Sequence, residues 1–166
     1  MILKIALDLP GDGTYLRIAR RIGHTLMQDL GVVPQDITDT EFIIGELCTN
    51  VVRHARTMTD SRYTVTLEYH ADRVAIIVED KGIGFSERDI STVGSVRPDR
   101  DGSDRLGGFG LDLIRLMADH IEFRRSEPHG ATVVAEKTLH FNSPDEARQA
   151  EELADRPGGE VRVSTS

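Results

Sequence analysis

Apolar side chains recur along the first third of the chain with two periods, one typical of strands and one typical of helices. Residues 2–8 alternate as in a strand, and apolar residues at helical spacing predict a helix over about 14–30. A second helix is predicted over about 39–56. A capping box opens it, with Thr38 as the N-cap and Glu41 as the third helical residue.

Two β-hairpins and a short helix account for most of the remaining periodic sequence. The order β-α-α-β-β-loop-α-β-β predicts an α+β fold. We expect a two-layer α/β sandwich, with a mostly antiparallel sheet and helices on one face. The predicted elements are strands 62–70 and 73–79, a helix over about 109–118, and strands 121–125 and 131–139.

Two segments fall outside this periodic pattern. Residues 86–106 are polar with few apolar anchors, and a loop of that length in a compact domain is usually functional or mobile. The C-terminal segment 141–166 is acidic and polar, with a short helix expected over 144–154 and a frayed tail from Pro157. We therefore expect one domain over 1–140, with 86–106 as a candidate lid.

Composition restricts the classes of function. A net charge of −8 and a pI near 5.2 disfavour direct nucleic-acid binding, which requires a basic patch. Cys48 is the only cysteine, so neither an internal disulfide nor a cysteine-rich metal site is available. No apolar run approaches the roughly 20 residues of a membrane span. A cytoplasmic protein without membrane contact is expected.

The stretch VEDKGIGF at 78–85 carries an acid, Asp80, followed by Gly82 and Gly84. A Rossmann fingerprint would require a glycine where this chain has Glu87, and no P-loop or EF-hand pattern follows. By itself the stretch predicts a strand that ends in a tight turn, with the glycines at positive φ.

The second predicted helix carries a polar stripe beside apolar residues. Glu46, Asn50 and His54 are spaced four apart, and each step of four advances about 40° around a helix. Ile43 and Leu47 flank the stripe, so the carboxylate and the amide lie next to the core, where an unpaired polar group is unfavourable. A ligand site and a polar rim on an amphipathic helix both remain open.

The sequence LGGFGL at 106–111 opens the third predicted helix. Glycines at a helix start leave several backbone amides free to converge on an anion, and the helix dipole adds to the attraction. A glycine-hinged turn is the alternative.

Together, GELCTNVVRHA, EDKGIGF and GGFGL resemble the asparagine box and two glycine boxes of the GHKL ATPases, in order and separation. That superfamily includes gyrase, MutL and sensor histidine kinases, and the resemblance covers roughly residues 5–138. The small size and the leading strand and helix are most similar to the stand-alone anti-sigma-factor serine/threonine kinases of bacteria. The usual Gly-Thr before the last strand is Gly130-Ala131-Thr132 here.

The resemblance implies an ATP site of the histidine kinase-like ATPase fold. Asp80 would accept a hydrogen bond from the adenine amine, and Gly82 and Gly84 would let the backbone approach the ring. Asn50 would bind both the nucleotide and Mg²⁺, and Glu46 would act as the general base. The further nucleotide-binding candidates that it implies are Arg105, Gly107, Gly108, Phe109, Gly110, Leu111 and Thr132.

A regulatory function also follows from the resemblance. It implies a homodimeric anti-sigma factor that binds Mg-ATP and phosphorylates a serine or threonine of an anti-anti-sigma (STAS) partner, and so controls a sigma factor. The arginines of the first helix are either a surface for acidic partners or a solvated face; they are Arg17, Arg20 and Arg21. Two alternatives stay open: a non-catalytic ATP-dependent protein that sequesters the sigma factor, and a fragment of a sensor kinase.

Overall fold

The computed structural model describes residues 1–55, 61–80, 110–125 and 130–164, apart from the side chains of 53–55, 111 and 125. In chain order the elements are β1 (Leu3–Pro10), α1 (Leu16–Asp29), α2 (Pro34–Ala55), β2 (Arg62–Tyr69), β3 (Arg73–Asp80), α3 (Gly110–Met117), β4 (His120–Arg125), β5 (Ala131–Thr138), α4 (Pro144–Ala154) and β6 (Gly159–Ser164).

The strands form a six-stranded sheet in the order β4-β5-β3-β2-β1-β6. All neighbouring strands are antiparallel except β6, which runs parallel to β1. The predicted α+β fold with a mostly antiparallel sheet is confirmed. The two hairpins, β2–β3 and β4–β5, lie where the period-two segments indicated them.

One face of the sheet is apolar and carries the helices. In register across four strands, Leu7, Val65, Val78 and Val133 form a row in which each residue is at most 1% exposed. Because side chains alternate between faces along a strand, the residues of such a row lie on the same face of the sheet. Helix α2 packs over β2, β3 and β5, and α1 and α3 pack against α2.

Helix α2 begins earlier than the sequence pattern predicted. It starts at Pro34, and Thr38 lies inside the helix, where its hydroxyl donates to the Pro34 carbonyl at 2.9 Å. The predicted capping box at Thr38 and Glu41 is therefore wrong. Proline is well tolerated in the first turn of a helix, since the amide that it lacks would have no helical partner there.

The C-terminal segment is more ordered than its composition indicated. Helix α4 has the predicted bounds, and the Ser143 hydroxyl caps it by accepting from the Glu146 amide at 3.3 Å. The side chain of Asn142 donates to the Gly31 carbonyl at 2.8 Å, which ties this segment to the turn between α1 and α2. The tail that we expected to fray from Pro157 instead forms β6, because its backbone pairs with the edge of β1.

An ion cluster fixes the first turns of α2 on the sheet. Lys137 of β5 lies with its Nζ 3.0 Å from Asp39 Oδ2 and 3.8 Å from Asp36 Oδ1. The amide of His140 donates to Asp36 at 2.7 Å, and Gln35 donates to Asp39 at 2.8 Å. We call Asp36, Asp39 and Lys137 the α2 clamp; their side chains are at most 14% exposed.

Replacing Lys137 by methionine should destabilise the protein by about 3 kcal/mol, because two nearly buried carboxylates would lose their cation. Urea unfolding of Lys137→Met measures this change. The control is Arg148→Ala, which removes an exposed ion pair. The side chain of Arg148 is 76% exposed and that of its partner Asp145 is 93% exposed. An exposed pair contributes at most about 1 kcal/mol. Equal losses in both variants would contradict a structural role for the clamp.

Candidate functional site

A carboxylate interrupts the apolar face of the sheet at one end. Leu9, Tyr63, Asp80 and Ala131 stand in register in the row that follows the apolar one, so Asp80 points to the helix-bearing face. Asp80 is 6% exposed, and its neighbours in the row are almost fully buried. An ionised carboxylate accepts hydrogen bonds and cannot donate them, so Asp80 can distinguish donors from acceptors.

The end of α2 lies at the same end of the sheet as Asp80. The helix ends at Ala55, and the chain enters β2 at Arg62, next to Tyr63, which is the register partner of Asp80. The last turns of α2 are therefore directed toward the row that contains Asp80. Two elements far apart in sequence thus supply polar groups to one region.

Asn50 is buried in the last half of α2. The residue is 8% exposed, and its side-chain nitrogen Nδ2 has no hydrogen-bond partner among the described residues. Val51 and Leu47, each 1% exposed, place this part of the helix against the core. A buried amide without a partner costs about 1–3 kcal/mol, so a ligand that pairs with it would recover that free energy.

Glu46 lies one helical turn before Asn50 and reaches the start of α3. A Cβ added to Gly110 would collide with the Glu46 carboxylate, so the acid packs directly against the first residue of that helix. The first amides of a helix lack intrahelical partners. The helix carrying the predicted asparagine box and the last glycine of the predicted second glycine box therefore meet in the fold.

Thr132 is on the other side of the sheet from Asp80. Its register partner is Glu79, which is exposed, whereas Ala131 is the partner of Asp80. Because neighbouring side chains on a strand point to opposite faces, Ala131 and not Thr132 shares the face with Asp80. The structure does not bring Thr132 together with the other candidates.

Several predicted site residues lie outside the described residues. Leu111 belongs to α3, but its side chain is not described. The proposed lid at 86–106 is also outside the described ranges, as are Gly82, Gly84, Arg105, Gly107, Gly108 and Phe109.

Sequence reasoning missed two neighbours of Asp80. Tyr63 and Ala131 flank it on the adjacent strands. The period-two pattern indicates which face a residue occupies, but the residues that stand opposite each other depend on strand register. No signal in one sequence pairs β3 with β5 at these positions.

Cys48 does not add a nucleophile to this region. It is buried, and burial raises the pKa of its thiol to about 12, so the group stays protonated at neutral pH. Within the described ranges, no three His, Cys, Asp or Glu side chains converge as a metal site. None of the described helices is long and apolar enough to cross a bilayer.

A groove lies elsewhere on the described part of the protein, between β1 and α1. It has a volume of about 400 Å³ and is mainly apolar, and it contains none of the predicted site residues. Its lining residues are Ile5, Ile18, Arg21, Ile22, Thr25 and Leu26.

Comparison with known proteins shows the family of the chain. Residues 9–137 match the family model described as a histidine kinase-like ATPase domain. The chain is 30% identical over 139 residues to a serine-protein kinase RsbW of Bacillus cereus (strain B4264), which covers 82% of this chain and 85% of that protein. It is 29% identical over 147 residues to the RsbW of Halalkalibacterium halodurans, covering 85% and 86%. The chain therefore belongs to the histidine kinase-like ATPase family, as the three sequence boxes indicated.

Proposed function

We propose that this protein is an anti-sigma regulatory factor that uses Mg-ATP to phosphorylate a serine or threonine of an anti-anti-sigma (STAS) partner. The observation that carries the proposal is the position of Glu46. Its carboxylate is held against Gly110 at the start of α3, one helical turn from Asn50. A protein that only binds a nucleotide has no need of a base there. The relatives named serine-protein kinase support the same reaction.

Asp80 forms the adenine end of the proposed site. Its carboxylate would accept a hydrogen bond from the exocyclic amine, in a row whose other members are apolar or aromatic. Guanine presents a carbonyl at that position, which would leave two acceptors facing each other. A buried site built for a donor discriminates strongly against a base that lacks one.

Asn50 forms the metal end. Mg²⁺ prefers oxygen ligands, keeps several waters and uses nucleotide phosphates for the rest, so one amide oxygen is a sufficient protein ligand. Nδ2 of Asn50 has no partner among the described residues, so it could donate to a phosphate oxygen while the amide oxygen binds the metal. When bound, the metal would neutralise charge on the transferring phosphoryl group.

Glu46 acts on the attacking hydroxyl. Its carboxylate takes the proton from the partner's serine or threonine oxygen as that oxygen forms a bond to the γ-phosphorus, while the bond to the β-phosphate oxygen breaks and ADP leaves. Backbone amides at the start of α3 would hold phosphate oxygens. In this scheme the ATP-bound protein is a cytoplasmic homodimer that holds a sigma factor. The unphosphorylated STAS protein competes for it, and phosphorylation releases that partner.

Transfer of labelled phosphate from ATP to a serine of a STAS protein from the same host tests the reaction. Glu46→Gln should retain ATP binding and lose at least about a hundredfold in transfer rate, because general-base catalysis contributes about 10²–10⁴-fold. The control is Glu41→Gln on the same helix, where the carboxylate pairs with His24 at 3.2 Å. Binding without transfer in the wild type would favour the non-catalytic, sigma-sequestering alternative. Equal rates in the wild type and Glu46→Gln would contradict the base assignment.

Asp80→Asn should weaken ATP binding by roughly tenfold to a hundredfold, since a buried mismatched hydrogen bond costs about 1–3 kcal/mol. Discrimination between ATP and GTP should shrink at the same time. Isothermal titration calorimetry with both nucleotides measures these changes. Glu79→Gln is the matched control, because that neighbour on β3 is exposed and faces the opposite side of the sheet. Normal ATP affinity in Asp80→Asn would overturn the adenine assignment.

Asn50→Ala should abolish the magnesium-dependent part of ATP binding, measured by calorimetry with Mg²⁺ and with a chelator. Its free energy of unfolding should stay near that of the wild type, because the substitution removes a buried amide nitrogen that has no described partner. The neighbouring Thr49→Ala serves as the control for helix perturbation. Unchanged magnesium dependence in Asn50→Ala would refute the metal role.

A further inference from the structure

Strand β6 is an edge strand with an unusual degree of exposure. It pairs with β1 on one side and ends the strand order, so no described strand pairs with its outer side. All six residues, from Gly159 to Ser164, are exposed. An exposed edge of unpaired amides and carbonyls is a template for pairing with another chain.

The side chains of β6 separate into two chemical sets. Val161 and Val163 stand opposite Ile5 and Leu7 of β1, so they lie on the helix-bearing face, yet each is 47% exposed. Glu160 and Arg162 lie on the opposite face by alternation. The strand therefore presents apolar groups on one face and one charge of each sign on the other.

This charge pattern is self-complementary when β6 pairs antiparallel with a second β6 about a two-fold axis. With the axis at Val161, each Glu160 faces Arg162 of the other copy, and the two valines meet at the axis. An axis at Glu160 or at Arg162 would instead bring like charges together, which destabilises a cross-strand pair. A two-fold interface uses the same patch on both copies, so each ion pair would form twice.

Glu160 and Arg162 already pair with each other within the strand, but this contact does not prevent them from pairing with a second copy. Arg162 Nε lies 2.9 Å from Glu160 Oε1 within the strand, with side chains that are 77% and 45% exposed. Such exposed pairs contribute little to stability. The same two side chains can therefore bridge between copies at small loss.

We propose that β6 is a homodimer interface, in which two copies pair antiparallel through residues 159–163 with the two-fold axis at Val161. The segment lies beyond residues 9–137, the part of the chain that matches the family model. Strand β6 would supply the contact surface of the homodimer in the proposed function. This pairing does not depend on nucleotide binding, and its tests contain no ATP, so either proposal can fail alone.

Disulfide trapping tests the register of the pairing. Val161→Cys places two thiols opposite each other, with Cα atoms about 4.5–5.5 Å apart, within the range of a disulfide. Val163→Cys has equal exposure but would sit about 13 Å from its equivalent in the other copy. Because Cys48 is buried, mild oxidation should link Val161→Cys and not Val163→Cys. Equal linkage of both variants, or of neither, would overturn the register.

Charge reversal tests the ion pairs between the two copies. The readout is the molar mass of the protein in solution, measured by light scattering over a concentration series. Glu160→Arg and Arg162→Glu alone should each weaken dimerisation by roughly tenfold or more, because two attractive pairs become two repulsive ones. A mixture of the two variants should form heterodimers, and the double variant should dimerise like the wild type. The matched control reverses Glu122 and Arg124, which form a similar exposed pair on β4 at the other edge. A wild type that stays monomeric, or a dimer insensitive to both single reversals, would overturn the proposal.

Discussion

The placement of α2 across the sheet is the constraint on which both the core and the candidate site depend. The helix has 22 residues and is about 33 Å long. At its first turns Asp36 and Asp39 hold Lys137, and its last half carries Glu46 and Asn50 toward the end of the sheet that contains Asp80. An ion cluster at one end therefore sets the position of the polar groups at the other.

Lys137 of β5 and Asn50 of α2, two polar side chains next to the core, differ in how their burial is compensated. Lys137 is neutralised within the protein by two carboxylates, so its burial is compensated by ion pairs. Asn50 retains an amide nitrogen without a partner among the described residues. Unpaired buried polar groups lower stability, and proteins keep them where a ligand supplies the missing partner. That difference distinguishes the α2 clamp from the candidate site.

The elements of the fold were largely predictable because each has a local signal. The two hairpins follow from period-two segments, and α4 begins and ends at the residues its pattern indicated. The start of α2 was placed too late, because Thr38 resembles a capping residue and its bond to the Pro34 carbonyl has no local signature. Strand β6 was missed because it lies at the edge of the sheet and all of its residues are exposed. It forms by backbone pairing with β1, so its sequence needs no strong strand pattern.

The sequence by itself determined the chemical inventory: the acid before two glycines, the polar stripe on an apolar helix flank, and the glycines that open α3. These signals depend on composition and local period, which one chain displays without its fold. Only the tertiary structure decided which of these groups meet. Strand register placed Ala131 rather than Thr132 beside Asp80, and the packing of α2 on α3 set Glu46 against Gly110. Register and helix packing are fixed by contacts between distant segments, so no local pattern contains them.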